Sequence, residues 1–357
     1  MGQPDEWGNR MSRHRALDTA RIVLLAAVLA AVGIAVWRNW SQVQAELGTL
    51  SWPALVGALL LVLASPLVTM LGWRELLADL GSRLHLAPAA GVFFVGQLGK
   101  YVPGSVWSVV AQAEMAGRLG IGRSRVAVTS LLFLGMATIA GGVLGLPALP
   151  VLLSRQQGEI SPGWLLAAVA LGVLLLAPPV LNRGVDVGLR LLRRPPLEHR
   201  LTGVTVSLAS VLFALGWACT GLATAVLTRD LAPEVSWSQL LVVAVCGFSL
   251  AGVIGMVSFL VPAGVGVRDG VMLLLLGTVL SMPAATAVVV VVRFLTVVGD
   301  VVVAGFGWWW ARRHALLPER PGHDSGEGNR GGQGREGGQG GEGREGGQSE
   351  QVDRGSS

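Results

Sequence analysis

Charged residues are scarce in this chain, and lysine is nearly missing. Only 14% of the 357 residues are charged and a single lysine is present, whereas 52% are hydrophobic and the mean hydropathy is +0.60. Soluble globular domains carry about 25% charged residues. This shortage excludes the soluble globular class and indicates an integral membrane protein with several spans.

Residues that build metal centres, disulfides or nucleotide sites are also few. The two cysteines, Cys219 and Cys246, fall in separate apolar segments without metal-ligand spacing, and none of the five histidines lies in a predicted span. The chain has no Walker-type G-x-x-x-x-G-K-[ST] sequence. We therefore expect no metal and no cofactor. The net charge of +5 comes from arginines between apolar runs, where they set topology, so we expect no nucleic-acid partner.

An all-α bundle of membrane helices is the fold class that the apolar runs predict. The length leaves room for about eight spans of ~20 residues, including re-entrant or broken segments, in one transmembrane domain at residues 22–313. Predicted spans occupy residues 22–37, 52–73, 126–146, 164–181, 201–227 and 240–261, and the last span follows Pro283. Arginine-rich loops place both termini in the cytoplasm, with residues 1–21 as a cytoplasmic segment of a cytoplasmic-membrane protein.

A polar stretch, G-K-Y-V-P-G-S-V-W at residues 99–107, interrupts one apolar run. It holds the only lysine, Lys100, and the only tyrosine, Tyr101, followed by Pro103 and Gly104. Proline removes a backbone donor and glycine permits non-helical dihedral angles, so this sequence breaks a helix. Broken backbone at membrane depth survives only inside protein or against a wet cavity. We predict that the stretch forms the floor of a polar cavity.

The arginines after this stretch indicate how the segment enters the membrane. If residues 89–113 crossed fully, Arg118, Arg123 and Arg125 would be exported, away from Arg74. Charge therefore favours a re-entrant hairpin with two arms of roughly 11 residues each.

A second interruption, V-P-A-G-V-G-V-R-D-G, lies at residues 261–270. Here Pro262 and three glycines, among them Gly264 and Gly266, surround Arg268 and Asp269. Two interrupted segments in different halves of a membrane protein point to a binding site near the midplane. The glycines either let the backbone approach a headgroup or permit close helix packing.

Three cations lie at or near membrane depth, and three acids are available to neutralise them. The cations are Lys100, Arg268 and Arg293, and the acids are Glu114, Asp269 and Asp300. A buried charge needs a partner, which is either a lipid headgroup or an internal carboxylate. Adjacent residues on a helix point about 100° apart, so Arg268 and Asp269 are not expected to face each other. Arg293 and Asp300 lie ~10 Å apart along their helix.

Taken together, the two motifs G-K-Y-x-P-G-x-x-W and V-P-A-G-x-G-x-R-D-G resemble the lysylphosphatidylglycerol synthase transmembrane region, or flippase-like, family. The resemblance covers approximately residues 17–313. It implies an all-helical membrane domain that moves or helps make anionic or aminoacylated lipids, or that serves glycolipid and cell-surface polymer pathways. Full-length lipid synthases continue into a soluble aminoacyl-transferase domain, whereas a Gly-rich tail follows here, so we expect no lysyl transfer.

Two function classes follow from these residues, and a third is weaker. The first is a lipid translocase or export component that binds a lipid headgroup. The second is a membrane-embedded transferase with Glu114 or Asp269 as a base, and the third is a scaffold for a lipid-synthesis enzyme or glycosyltransferase. No catalytic residue is assigned. The candidate headgroup-binding residues are Lys100, Tyr101, Pro103, Gly104, Trp107, Glu114, Pro262, Gly264, Gly266, Arg268, Asp269, Arg293 and Asp300.

Other segments have structural interpretations. Gly141, Gly142 and Gly145 are predicted to let helices pack closely. Residues 318–357 contain mostly Gly, Arg, Glu and Gln, cannot form a core and predict a disordered tail.

Overall fold

A computed structural model describes residues 40–97, 106–153, 161–257 and 266–313. Throughout these residues the regular elements are helical. They are α1 (Trp40–Thr49), α2 (Trp52–Asp79), α3 (Leu86–Gln97), α4 (Val106–Arg118), α5 (Arg123–Gly145), α6 (Leu149–Leu153), α7 (Pro162–Leu175), α8 (Pro178–Leu191), α9 (Gly203–Leu231), α10 (Trp237–Leu240), α11 (Gly247–Val257), α12 (Val267–Leu276) and α13 (Met282–Arg313). A 3₁₀ turn, Leu146–Ala148, joins α5 to α6, and a π-helical stretch, Leu241–Cys246, joins α10 to α11.

Within the described ranges, five helical stretches are long and apolar enough to cross a membrane. They are α2, α9, the continuous stretches Arg123–Leu153 and Trp237–Met256, and Met282–Trp310 of α13. The bent pair α7 and α8 makes a sixth if it is counted as one span. The structure thus confirms an all-α membrane bundle, for which the predicted count of about eight spans was approximate. The predicted span at residues 22–37 lies outside the described residues.

Hydrogen bonds at both ends hold α2 and α9 together as an antiparallel pair. At one end the Ser51 backbone N–H and hydroxyl donate to the carboxylate of Asp230, at 2.6 and 2.9 Å. At the other end the Thr202 N–H donates to Asp79 at 2.7 Å. We call the end at Asp79 the arginine-rich end, because Arg125 also lies there, and the end at Ser51 the opposite end.

Helices α3 and α4 are the two arms predicted on either side of the first interruption. They contain 12 and 13 residues, close to the predicted length. The two arms pack side by side. Gly96 of α3 lies so close to Gln112 of α4 that a Cβ atom on Gly96 would clash with the glutamine side chain. Helix α5 then starts at the arginine-rich end, where Arg125 donates to the Gly81 carbonyl at 3.1 Å and to the Ser82 hydroxyl at 2.7 Å. The segment between α2 and α5 therefore enters and leaves at one end, as a re-entrant hairpin requires.

The predicted span at residues 164–181 is not one continuous helix, because α7 ends at Leu175 and the chain bends by 59° before α8. Two prolines, Pro178 and Pro179, open α8. A residue that precedes proline avoids the α region. Ala177 accordingly takes an extended conformation with ψ 133°, and the helix is interrupted there.

Candidate functional site

The residue that caps the start of α12 occupies a backbone conformation that suits glycine. Gly266 has φ +86°, in the region that side chains with a Cβ rarely adopt. Its backbone N–H donates to the Asp269 carboxylate at 3.2 Å, which satisfies a donor at the helix start. The sequence motif thus has a structural reason at Gly266, whereas Pro262 and Gly264 lie outside the described residues.

A small pocket lies among four helices at the start of α12. Arg268 and Asp269 supply its charges, and the remaining wall comes from α9, α11, α12 and α13. The other lining residues are Thr224, Phe248, Met272, Val289 and Val292.

Arg268 and Asp269 pair with each other, which corrects the expectation that they do not meet. The Arg268 Nε lies 3.5 Å from Asp269 Oδ1, and their side chains are only 17% and 14% exposed. Helical side chains tilt toward the helix N-terminus, so Asp269 turns back toward Gly266 and the long Arg268 side chain reaches it. The Arg268 guanidinium also lies 5.4 Å from the centre of the Phe248 ring, in cation–π geometry.

The depth of the Arg268–Asp269 pair follows from the length of α12. The chain just after α12, at Val279 and Leu280, packs on the cluster that contains Ala232 and Val235 near the opposite end. Arg268 precedes the last residue of α12 by eight positions, which corresponds to ~12 Å of helix. A cation at that depth lies within the membrane region of the bundle, where it is retained only with partners.

The other predicted cations and acids are distributed along the bundle. Arg293 is half-buried on α13, next in sequence to Val292 of the pocket, but does not itself line the pocket. Asp300 is half-buried two turns further along α13. Glu114 instead lies on an exposed side of α4 and pairs with Arg123, the first residue of α5, at 2.8 Å, with side chains 54% and 67% exposed.

The first interruption falls largely outside the described residues. Lys100, Tyr101, Pro103 and Gly104 are not among them, and Trp107 falls in the first turn of α4. Convergence of Lys100 with the other two cations therefore remains a prediction.

Sequence reasoning missed the apolar and hydroxyl residues that complete the pocket. Phe248 and Val292 are ordinary apolar residues within apolar runs, and no local signal marks them. Thr224 did carry a signal, because Thr220, Thr224 and Thr228 recur every four residues inside an apolar helix. All three are buried, and the hydroxyls of Thr224 and Thr228 donate to carbonyls one turn earlier, at 3.0 and 2.8 Å.

The fold and the pocket together define an α-helical membrane protein with several spans that holds a charged pair inside its bundle. The family described as Lysylphosphatidylglycerol synthase TM region matches residues 22–304, and the chain belongs to that family. Membership links this membrane protein to lipid modification or translocation. No curated protein matches the chain.

Proposed function

We propose that this protein translocates, or helps export, an anionic, aminoacylated or glycosylated lipid across the cytoplasmic membrane. The pocket at Arg268 and Asp269 is the proposed headgroup site. The single observation that supports it is a poorly exposed Arg–Asp pair ~12 Å inside the bundle, at the start of a short helix. The first hairpin, with Lys100, is proposed to complete the path.

The chemistry of the pocket fits a headgroup that carries phosphate. A guanidinium binds phosphate oxygens through paired N–H donors, and such charge-assisted hydrogen bonds strengthen away from bulk water. The carboxylate of Asp269 lies beside it and would accept from an ammonium group on the same headgroup. Apolar residues such as Met272 and Val292 line the rest of this small pocket.

Lipid movement in reconstituted vesicles tests the proposal. Arg268→Gln removes the cation but keeps a polar side chain of similar length. We expect the rate of movement of fluorescent phosphatidylglycerol, or of its aminoacylated form, to fall about tenfold or more, since a hydrogen bond to a charged group contributes about 1.5–3 kcal/mol. Melting in detergent should change little, because the Asp269 carboxylate keeps the Gly266 N–H as a donor at the start of α12. Arg200→Gln is the control, because Arg200 is 76% exposed in a loop.

A purely structural pair gives a different result. In that case Arg268→Gln leaves the Asp269 carboxylate buried without its partner, and stability falls by about 3–5 kcal/mol. The double variant with Arg268→Gln and Asp269→Asn removes both charges of the pair. If this double variant moves lipid at the full rate, the proposed headgroup site is contradicted. Transfer of a group onto lipid by the purified protein, with no lipid movement, would instead favour the transferase.

A further inference from the structure

Helix α8 lies at the arginine-rich end of the bundle rather than inside it. Its first residue, Pro178, lies 3.9 Å from the position that a Cβ would take on Gly203, the first residue of α9. One turn later, the Asn182 side chain accepts from the Leu201 N–H at 2.9 Å and donates to the Leu201 carbonyl at 3.0 Å. The chain bends by 59° before α8, so α8 does not continue the direction of α7, and its first turn lies beside the start of α9.

One face of α8 packs on the protein. Leu189 is buried, and Asp186 pairs with Arg200 of the following loop at 3.7 Å. Together with the Asn182 contacts, this fixes which side of the helix faces outward.

The outward face of α8 carries an apolar row beside a basic row. Val180, Val187 and Leu191 recur at i, i+7 and i+11 and are exposed, Leu191 by 80%. Arg183 and Arg190, also i and i+7, are exposed as well. At 100° per residue the two rows are about 70° apart around the helix axis. An apolar row with arginines along its edge is typical of helices that lie in a membrane surface.

We propose that α8 lies in the membrane surface and binds anionic phospholipid headgroups through Arg183 and Arg190, with Val180, Val187 and Leu191 inserted between acyl chains. Exposed apolar side chains at a bundle end gain free energy by entering the acyl region. Arginines beside them then meet phosphate groups, and anionic lipids strengthen that contact. The site is independent of the proposed headgroup pocket, which lies toward the opposite end.

Depth of insertion is the first measurement. Val187→Cys, in a background with Cys219→Ala and Cys246→Ala, is labelled with an environment-sensitive fluorophore and reconstituted into phosphatidylcholine vesicles. We expect stronger quenching by lipids with a nitroxide near the headgroup than by lipids with a nitroxide near the chain end. Val173→Cys on α7 is the control, since Val173 is 61% exposed within a more apolar helix and should show the reverse order. Two results would overturn the proposal: a label at position 187 that is exposed to water, or a label there that is quenched most strongly by the nitroxide near the chain end.

Lipid charge is the second measurement. Adding phosphatidylserine to the vesicles should shift the emission of the position-187 label further to the blue. Arg183→Gln with Arg190→Gln should remove most of that shift. The control is Arg312→Gln with Arg313→Gln, which removes the same amount of charge from the end of α13. This double variant should keep the blue shift caused by phosphatidylserine. Equal loss in the two double variants, or no effect of phosphatidylserine on the parent protein, overturns headgroup binding at α8. Lipid translocation enters neither readout, so this result is separable from that of the proposed function.

Discussion

The Trp217 side chain sits in a slot between glycines of two helices. Its Nε1 donates to the Ala137 carbonyl at 2.9 Å, and a Cβ on Gly141 of α5 would lie 2.6 Å from that nitrogen. On the other side, a Cβ on Gly252 of α11 would clash with the indole ring. The Trp217 ring centre lies 6.1 Å from that of Phe248, which lines the pocket. The slot therefore supports one wall of the candidate site.

Adjacent glycines offer a matched test of this slot. Gly141→Ala should lower the free energy of unfolding by about 1–3 kcal/mol, because the added methyl group displaces the indole. Around Gly142 nothing in the described structure lies within 4 Å of an added Cβ, so Gly142→Ala should be neutral or stabilising by about 0.5–1 kcal/mol. Thermal melting in detergent compares them, and equal losses would show that the slot is not rigid.

Among helical elements, the hairpin arms α3 and α4 depend on buried packing and polar contacts for their position. Gln112 of α4 is 1% exposed and is hydrogen-bonded to the Ser130 hydroxyl of α5. The Trp73 indole N–H of α2 donates to the same hydroxyl at 3.3 Å. This buried polar trio ties the second arm to two neighbouring helices, which helps a segment too short to span the membrane stay in place.

A labelling experiment tests the hairpin directly. In a background with Cys219→Ala and Cys246→Ala, Arg83→Cys and Arg118→Cys precede and follow the hairpin, and both positions are exposed. We expect both to react with an impermeant maleimide in inside-out vesicles and neither to react in intact cells. Glu234→Cys, in the exposed loop at the opposite end, should react only in intact cells. Reaction of position 118 from outside while position 83 is protected would show a full crossing.

At the scale of the molecule, the end of α13 adds two arginines to the arginine-rich end of the bundle. The end of α13 lies there, since a Cβ on Gly91 of α3 would be 2.7 Å from the Trp310 ring. Arg312 and Arg313 stack on Trp308 and Trp309, with 4.3 and 4.1 Å between guanidinium carbon and ring centre. An excess of arginine at one end is typical of the cytoplasmic side of a membrane protein, whereas tryptophan is found at both interfaces.

The tail that follows should be dispensable for this bundle. Residues 318–357 are rich in Gly, Arg, Glu and Gln and cannot bury apolar surface, so truncation after Leu317 should leave insertion and melting temperature unchanged. Membrane fractionation and detergent melting measure the two properties. Loss of folded protein from the truncated chain would contradict the interpretation of the tail as a plain extension.

Much of the architecture could be predicted from the sequence because insertion depends on properties of each segment by itself. The apolar content of a segment sets whether it partitions into lipid, and the arginines beside it set the side on which its ends remain. This is why the membrane class and the two short arms around residues 99–107 agree with the structure. Gly266 was also visible as part of a helix-breaking motif, although its positive φ was not.

Tertiary structure alone decided how the charges pair and what surrounds them. Asp269 turns back to the start of α12, so Arg268 meets its own neighbour, whereas Glu114 is held by Arg123 outside the pocket. The pocket wall joins Phe248 of α11 to Val292 of α13. Contacts of this kind depend on distances between helices that are remote in sequence, and hydropathy and charge order along the chain do not encode those distances.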